Sequence, residues 1–258
     1  PLSGERCALP LPAEDVGPEF VAGGRVYFMQ RDPNAATVVI ARVGPDGVVE
    51  PLPATQAAGD VYYLEQFTVA PDESRLAWSQ AAPEGGDNPM GLLSTLWIGA
   101  ADAGNPTTVF EGVKMGDNRI ATPVRFTVNG QTLYYTWQPM GLGGMWTAFS
   151  GRYDNLYRVP VAGGEPQKVF DCADQQLFLC IGDFRDDGTL AYIDANRTIH
   201  VNGPDGAQVA AIPTADEYAG YPTFNPAGDL FYSTAIVPTD PTGVPFPSPG
   251  TLYRVAAP

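Results

Sequence analysis

Few side chains in this 258-residue sequence could do chemistry, and most of those are carboxylates. There is 1 histidine, His200, and no G-x-S-x-G, so neither a histidine-driven nucleophile nor a hydrolase elbow is indicated. His200 sits in the alternating segment Ile199-His200-Val201, where it reads as a packing or surface residue. Cysteine and histidine spacings typical of metal sites are absent, and no cofactor is implied. Paired carboxylates remain. Glu65 and Asp183 are the leading candidates, with Asp60 and Glu217 behind them. Two carboxyl groups flanking a glycosidic bond can act as acid, base or nucleophile, so their chemistry would be glycan cleavage. Acidic strand ends are also common in so acidic a chain.

A second group of residues could bind rather than react. Pro-Met-Gly-Leu occurs twice, at 89–92 and 139–142. The second copy follows Trp137 and runs through Gly143-Gly144-Met145-Trp146 to Phe149 and Tyr153. A Gly-rich loop carrying Met and aromatic side chains can form an adaptable apolar contact surface. The hot spots expected on it are Trp137, Met140, Met145, Trp146, Phe149 and Tyr153, with Met90 and Leu92 from the neighbouring loop. The alternative is that these side chains fold down and pack between structural units.

The cysteines are Cys7, Cys172 and Cys180. A local Cys172–Cys180 disulfide is expected across a connecting loop, leaving Cys7 free or joined to another chain; three buried thiols are the alternative. The formal charge of −15 disfavours nucleic acid and anionic membrane surfaces as partners. No apolar run approaches the ~20 residues of a membrane-spanning helix.

The elements that must position these residues are strands. Gly and Pro are dispersed along the whole chain, and the segments between them are rich in Val, Tyr, Phe, Thr and Leu. A repeat is visible when the chain is aligned on an aromatic residue, a polar turn, a leucine and a second aromatic. Four copies run Phe67…Pro71-Asp72…Leu76…Trp78, Phe126…Asn129-Gly130…Leu133…Tyr135, Phe184…Asp187-Gly188…Leu190…Tyr192 and Phe224…Pro226…Gly228…Leu230…Tyr232. A weaker first copy spans Val21 to Phe28. Each copy continues into two further short strands, such as Leu156-Tyr-Arg-Val159 and Lys168-Val-Phe170, joined by a Gly-rich turn. Four antiparallel strands per copy is the plan of a propeller blade.

The Phe-x-Pro-Asp/Asn-Gly-x-x-Leu-x-Tyr pattern, with Leu-Tyr-Arg-Val-Pro-Val-Ala-Gly-Gly-Glu-Pro at 156–166, resembles the Pro-Asp-type, WD40-like propeller repeats of TolB. Similar repeats occur in the propellers of tricorn and of the prolyl oligopeptidase family. The resemblance covers about residues 20–258 and implies an all-β propeller. It carries no catalytic residues over, because those peptidases keep their triads in a separate hydrolase domain.

One propeller domain over residues 1–258 is therefore expected, with blades near 18–55, 60–112, 118–171, 176–214 and 218–258. Residues 7–12 would pair beside Leu252–Val255 and complete the last blade. The longest connections, 79–95, 136–155 and 233–251, would share one face with the Cys172–Cys180 loop. The primary expectation is a non-catalytic, secreted propeller, periplasmic or extracellular, that docks a protein or polysaccharide through that face. One alternative is a glycan-acting enzyme with Glu65 and Asp183 near the axis. Another is a structural subunit linked to its neighbours through Cys7.

Overall fold

The computed structural model describes residues 20–32, 37–55, 63–84, 91–114, 119–139, 153–177, 180–214, 218–219, 222–235 and 251–256. Cys7, the 7–12 segment, Asp60, Met90, Met140, Met145, Trp146, Phe149 and Glu217 lie outside them, as do the side chains of Glu65 and Leu92.

Alternation of apolar and polar residues makes the described chain all-β, in five antiparallel sheets laid out in chain order. The first sheet is β1 (Phe20–Ala22), β2 (Arg25–Asp32), β3 (Thr37–Val43) and β4 (Val49–Leu52). The second is β5 (Tyr63–Val69), β6 (Arg75–Pro83), β7 (Leu92–Ala100) and β8 (Thr107–Lys114). The third is β9 (Arg119–Phe126), β10 (Thr132–Pro139), β11 (Asn155–Pro160) and β12 (Gln167–Asp171). The fourth is β13 (Ile181–Phe184), β14 (Leu190–Ile193), β15 (Thr198–Asn202) and β16 (Gln208–Pro213). In the fifth, β17 (Tyr218–Ala219) and β18 (Thr223–Phe224) pair with successive stretches of β19 (Leu230–Ala235), and β20 (Thr251–Val255) pairs with its other edge. The sheets span 20–52, 63–114, 119–171, 181–213 and 218–255, and their ends differ from the expected blades by up to five residues.

The polar turn of the repeat has a mechanical explanation. Its Asp or Asn side chain accepts a backbone N–H a few residues on: Asp72 from Ser74 (2.9 Å), Asn129 from Gln131 (3.1 Å), Asp187 from Thr189 (2.9 Å) and Asn225 from Asp229 (2.8 Å). This is the side-chain mimic of a backbone turn that suits these residues to hairpins. Three of the turns place glycine at positive φ, but the Asp72 turn places Glu73 there, at φ 55°.

Two compact units make up the chain, Pro1–Tyr135 with Arg158–Pro166 and Thr136–Tyr157 with Gln167–Pro258. In the first unit Tyr27, Ile40 and Leu52 of the first sheet interlock with Phe67, Leu76 and Trp78 of the second. Because strand residues alternate, Phe28, Ala41 and Val43 bury the opposite face of the first sheet. In the second unit Ala191, Ile199 and Val201 of the fourth sheet meet Leu230 and Tyr232 of the fifth. Sheets covered on both faces are what stacked blades require. Emptying the position of a fully buried side chain such as Trp78 would cost about 3–5 kcal/mol.

Several strands run further into the connections than expected. β6 continues to Pro83 and β7 starts at Leu92, so Pro83 pairs with Leu92 and the 79–95 connection shrinks to 84–91. Glu84 N donates to Gly91 O at 2.7 Å and closes it. The run Ala81-Ala82-Pro83 carries no turn chemistry until the glycines at 85–86, and continued ladder pairing satisfies its backbone.

Candidate functional site

The two carboxylates nominated from the sequence share a backbone peculiarity. Each lies in the first strand of its sheet, at or beside a bulge. In β5, Leu64 pairs with Gln80 and Gln66 with Ser79, so Glu65 is the extra residue. In β13, Ile181 pairs with Tyr192 and Asp183 with Ala191, so Gly182 is extra and Asp183 follows it. A bulge bends the strand and re-aims the side chain there, and bulges concentrate beside active sites.

Asp183 is held firmly within the second unit. One carboxylate oxygen accepts the Phe184 N–H and the other the Phe224 N–H, both at 2.8 Å. The second bond ties β13 to β18, the first strands of consecutive sheets. Gly182 makes that approach feasible, since a Cβ there would come within 2.6 Å of Pro222 Cδ and 2.8 Å of the Pro222 carbonyl oxygen. The carboxylate is thereby oriented before any ligand arrives.

The described members of the expected docking group are placed differently from one another. Trp137 belongs to β10 rather than to a loop, and it is buried at 7% exposure. The Asn155 side chain fixes its backbone, accepting from Trp137 N (2.8 Å) and donating to Trp137 O (3.1 Å). Tyr153 forms an isolated bridge with Ile181 and lies edge-on to Phe184 at 6.2 Å. Leu92 begins β7. Neither described aromatic is displayed on a free loop, because ladder pairing extends to both.

The Cys172–Cys180 disulfide is present, with Cα atoms 5.8 Å apart, between β12 and β13. It caps a short 3-10 turn started by Asp171, whose side chain accepts the Ala173 N–H. His200 lies in β15, the third strand of its sheet. Its ring stacks on Tyr192 at 4.9 Å, with Nδ1 2.7 Å from Gln208 Oε1 and Nε2 3.0 Å from Asp194 Oδ2. Burial acts to raise the Asp194 pKa, but hydrogen bonds from His200, Thr198 N and Asn196 N outweigh it and hold the carboxyl below its ordinary value.

A charged cluster in the first unit was missed by sequence reasoning. Arg42 and Glu50 face each other across the β3–β4 hairpin, with Arg42 Nε and Nη2 donating to the two Glu50 oxygens at 2.9 and 3.1 Å. The bond from Arg42 holds the exposed Glu50 carboxyl below its usual range. Arg25 Nη1 and the Tyr27 hydroxyl both donate to Glu73, at 2.9 and 3.0 Å. The turn Gly44-Pro45-Asp46-Gly47 was a usable signal, since a hairpin there sets Arg42 opposite Glu50. Among the described residues no group of three or more His, Cys, Asp or Glu is arranged to hold a metal ion.

No protein-family model matches the chain, and no curated protein matches its sequence. Solved structures do match its fold. The chain is similar to an oligogalacturonate lyase solved with manganese, at 14% identity and TM-score 0.57 over 93% of this chain and 64% of that one. It is similar to a prolyl endopeptidase, at 14% identity and TM-score 0.56, over 93% of this chain but 34% of that one. It also resembles the dipeptidyl peptidase 4 of Porphyromonas gingivalis, at 12% identity and TM-score 0.51 over 88% of this chain and 44% of that one. The chain thus spans from about a third to two thirds of these proteins. Together with the five sheets, the likeness supports a fold of the β-propeller type. It also overturns the expectation of a non-catalytic docking propeller: these neighbours are enzymes.

Proposed function

We propose that this chain is a propeller of a glycan-acting enzyme with Asp183 as its candidate working carboxylate, and with Glu65, in the other unit, as a separate candidate. The observation that carries the reading is the bulge on the first strand at each of these two residues. Asp183 is assigned the role of an oriented acceptor, taking up a proton or facing positive charge as a glycosidic bond breaks. Its two amide hydrogen bonds support that role by removing the need to reorganise during the reaction. One of the three neighbours is an oligogalacturonate lyase and two are peptidases, so the choice of a glycan rests on the carboxylates and not on the fold likeness. A peptidase using a histidine within these 258 residues would have only His200, whose two ring nitrogens both face oxygen partners.

The five sheets are read as five blades of TolB-like repeats. Export to an oxidising compartment is part of the proposal. The disulfide is consistent with it, and no helix among the described residues is long and apolar enough to cross a membrane.

A polysaccharide screen tests the catalytic reading. Reducing ends or unsaturated sugars should appear with the wild-type chain and fall at least a hundredfold with Asp183→Asn or with Glu65→Gln. Release that is unchanged in both variants, or absent on every glycan, sinks it.

A further inference from the structure

Away from the inner strands, the first unit carries a cleft of about 580 Å3 lined by Arg25, Arg42, Asp46, Glu50 and the apolar rim Pro45, Val48 and Pro51. That volume lies within the range of small-molecule sites. Its two guanidinium groups differ in how firmly they are held. The Arg42 side chain is 15% exposed, and its Nη1 lies 3.5 Å from the Ala101 carbonyl oxygen, a contact that does not depend on Glu50. Glu50 sits on the outer strand with its side chain 55% exposed. A part-buried guanidinium thus faces an exposed carboxylate on a bidentate fork, a geometry that an external carboxylate could also take up. Arg25, 43% exposed, lines the same cleft with one nitrogen on Glu73.

We propose that this cleft is an accessory subsite for a carboxylated sugar, whose carboxylate displaces Glu50 from Arg42. The flat Pro45, Pro51 and Val48 surfaces suit the C–H faces of a pyranose ring. Asp46 and the displaced Glu50 offer acceptors for its hydroxyls. Phosphate would share the guanidinium contacts but use neither of these features. A chain net charge of −15 restricts the ligand to a single sugar or a chain end, since a long polyanion would meet repulsion beyond the cleft. The choice of a sugar rests on the glycan-acting reading; the carboxylate recognition rests on the cleft alone.

Calorimetric titration of the whole 258-residue chain with sodium glucuronate, glucose and inorganic phosphate tests it. Glucuronate should bind at least tenfold more tightly than glucose or phosphate. Glu50→Gln should tighten glucuronate binding several-fold by freeing Arg42, whereas Arg42→Gln and Arg25→Gln should weaken it at least tenfold with unchanged circular dichroism. Arg42→Lys, which keeps the charge but loses the fork, should fall between. The proposal is overturned if neither the wild type nor Glu50→Gln binds glucuronate, if Glu50→Gln binds it more weakly, or if phosphate binds as well. Running the titration in Asp183→Asn keeps the two readings apart. Binding without turnover of any glycan would leave the cleft standing and remove the enzyme, and turnover without binding would do the reverse.

Discussion

Asp183 and the Phe224 amide, 41 residues apart, are joined by a 2.8 Å hydrogen bond that links the first strands of the fourth and fifth sheets. The same carboxylate holds the Phe184 amide. A residue nominated for catalysis is thus also a staple, and its two roles are separable. Asp183→Ala leaves two amides without their acceptor and should cost about 1–3 kcal/mol, measured by urea denaturation. Asp183→Asn keeps one oxygen for a backbone donor and should cost less than half of that. A loss of activity in Asp183→Asn that far exceeds its loss of stability identifies a chemical role.

Gly23 and Gly24 both have positive φ, at 52° and 81°, but their surroundings differ. A Cβ on Gly23 would overlap the Glu73 carboxylate, which holds Arg25 and Tyr27, whereas nothing lies within 4 Å of one on Gly24. Gly24→Ala should therefore cost only the backbone term of about 1–2 kcal/mol. Gly23→Ala should cost at least 1 kcal/mol more, because the Tyr27 hydroxyl also loses its partner. Equal melting temperatures for the two variants would contradict this.

The Cys172–Cys180 bridge closes a short loop, and loop-closure entropy assigns it roughly 2–3 kcal/mol. Replacing both cysteines with alanine should lower the denaturation midpoint accordingly. A reducing agent should shift the midpoint of the wild type and leave that of the double variant unmoved.

Asp194 predicts a pH dependence with a definite sign. Its folded pKa is depressed, so its contribution to stability is complete above the ordinary aspartate value of about 4 and is lost as pH falls through the lower, folded value. Wild type and Asp194→Asn should therefore differ most in melting temperature near neutral pH and converge as the solution becomes strongly acidic. A gap that widened on acidification would refute this.

Much of the fold was legible in local chemistry. An aromatic, an Asp or Asn turn, a leucine and a second aromatic recur because each hairpin needs a side-chain acceptor at its bend and an apolar residue on alternate positions. Those are short-range requirements, so the approximate place of each sheet could be read from the sequence. The Cys172–Cys180 pair was legible for the same reason, being eight residues apart. Strand length was less so. Trp137 was read as a loop residue because Gly and Met crowd the sequence after it, yet ladder bonds and the Asn155 side chain draw it into β10 and bury it.

The sequence by itself determined the all-β repeat and the turn chemistry, and it nominated Glu65 and Asp183. Only tertiary structure set each of them at or beside a bulge and gave the Asp183 carboxylate its two amide partners. A bulge is a count of residues on one strand against its partner, and neither strand alone contains it. The same holds for Asp183 and Phe224, and for Glu73 beneath Gly23, where the bonded groups lie tens of residues apart and meet only because sheets pack face to face. The Arg42–Glu50 pair stands between the two: a hairpin sets the residues opposite each other, and packing decides that Arg42 is part-buried while Glu50 is exposed.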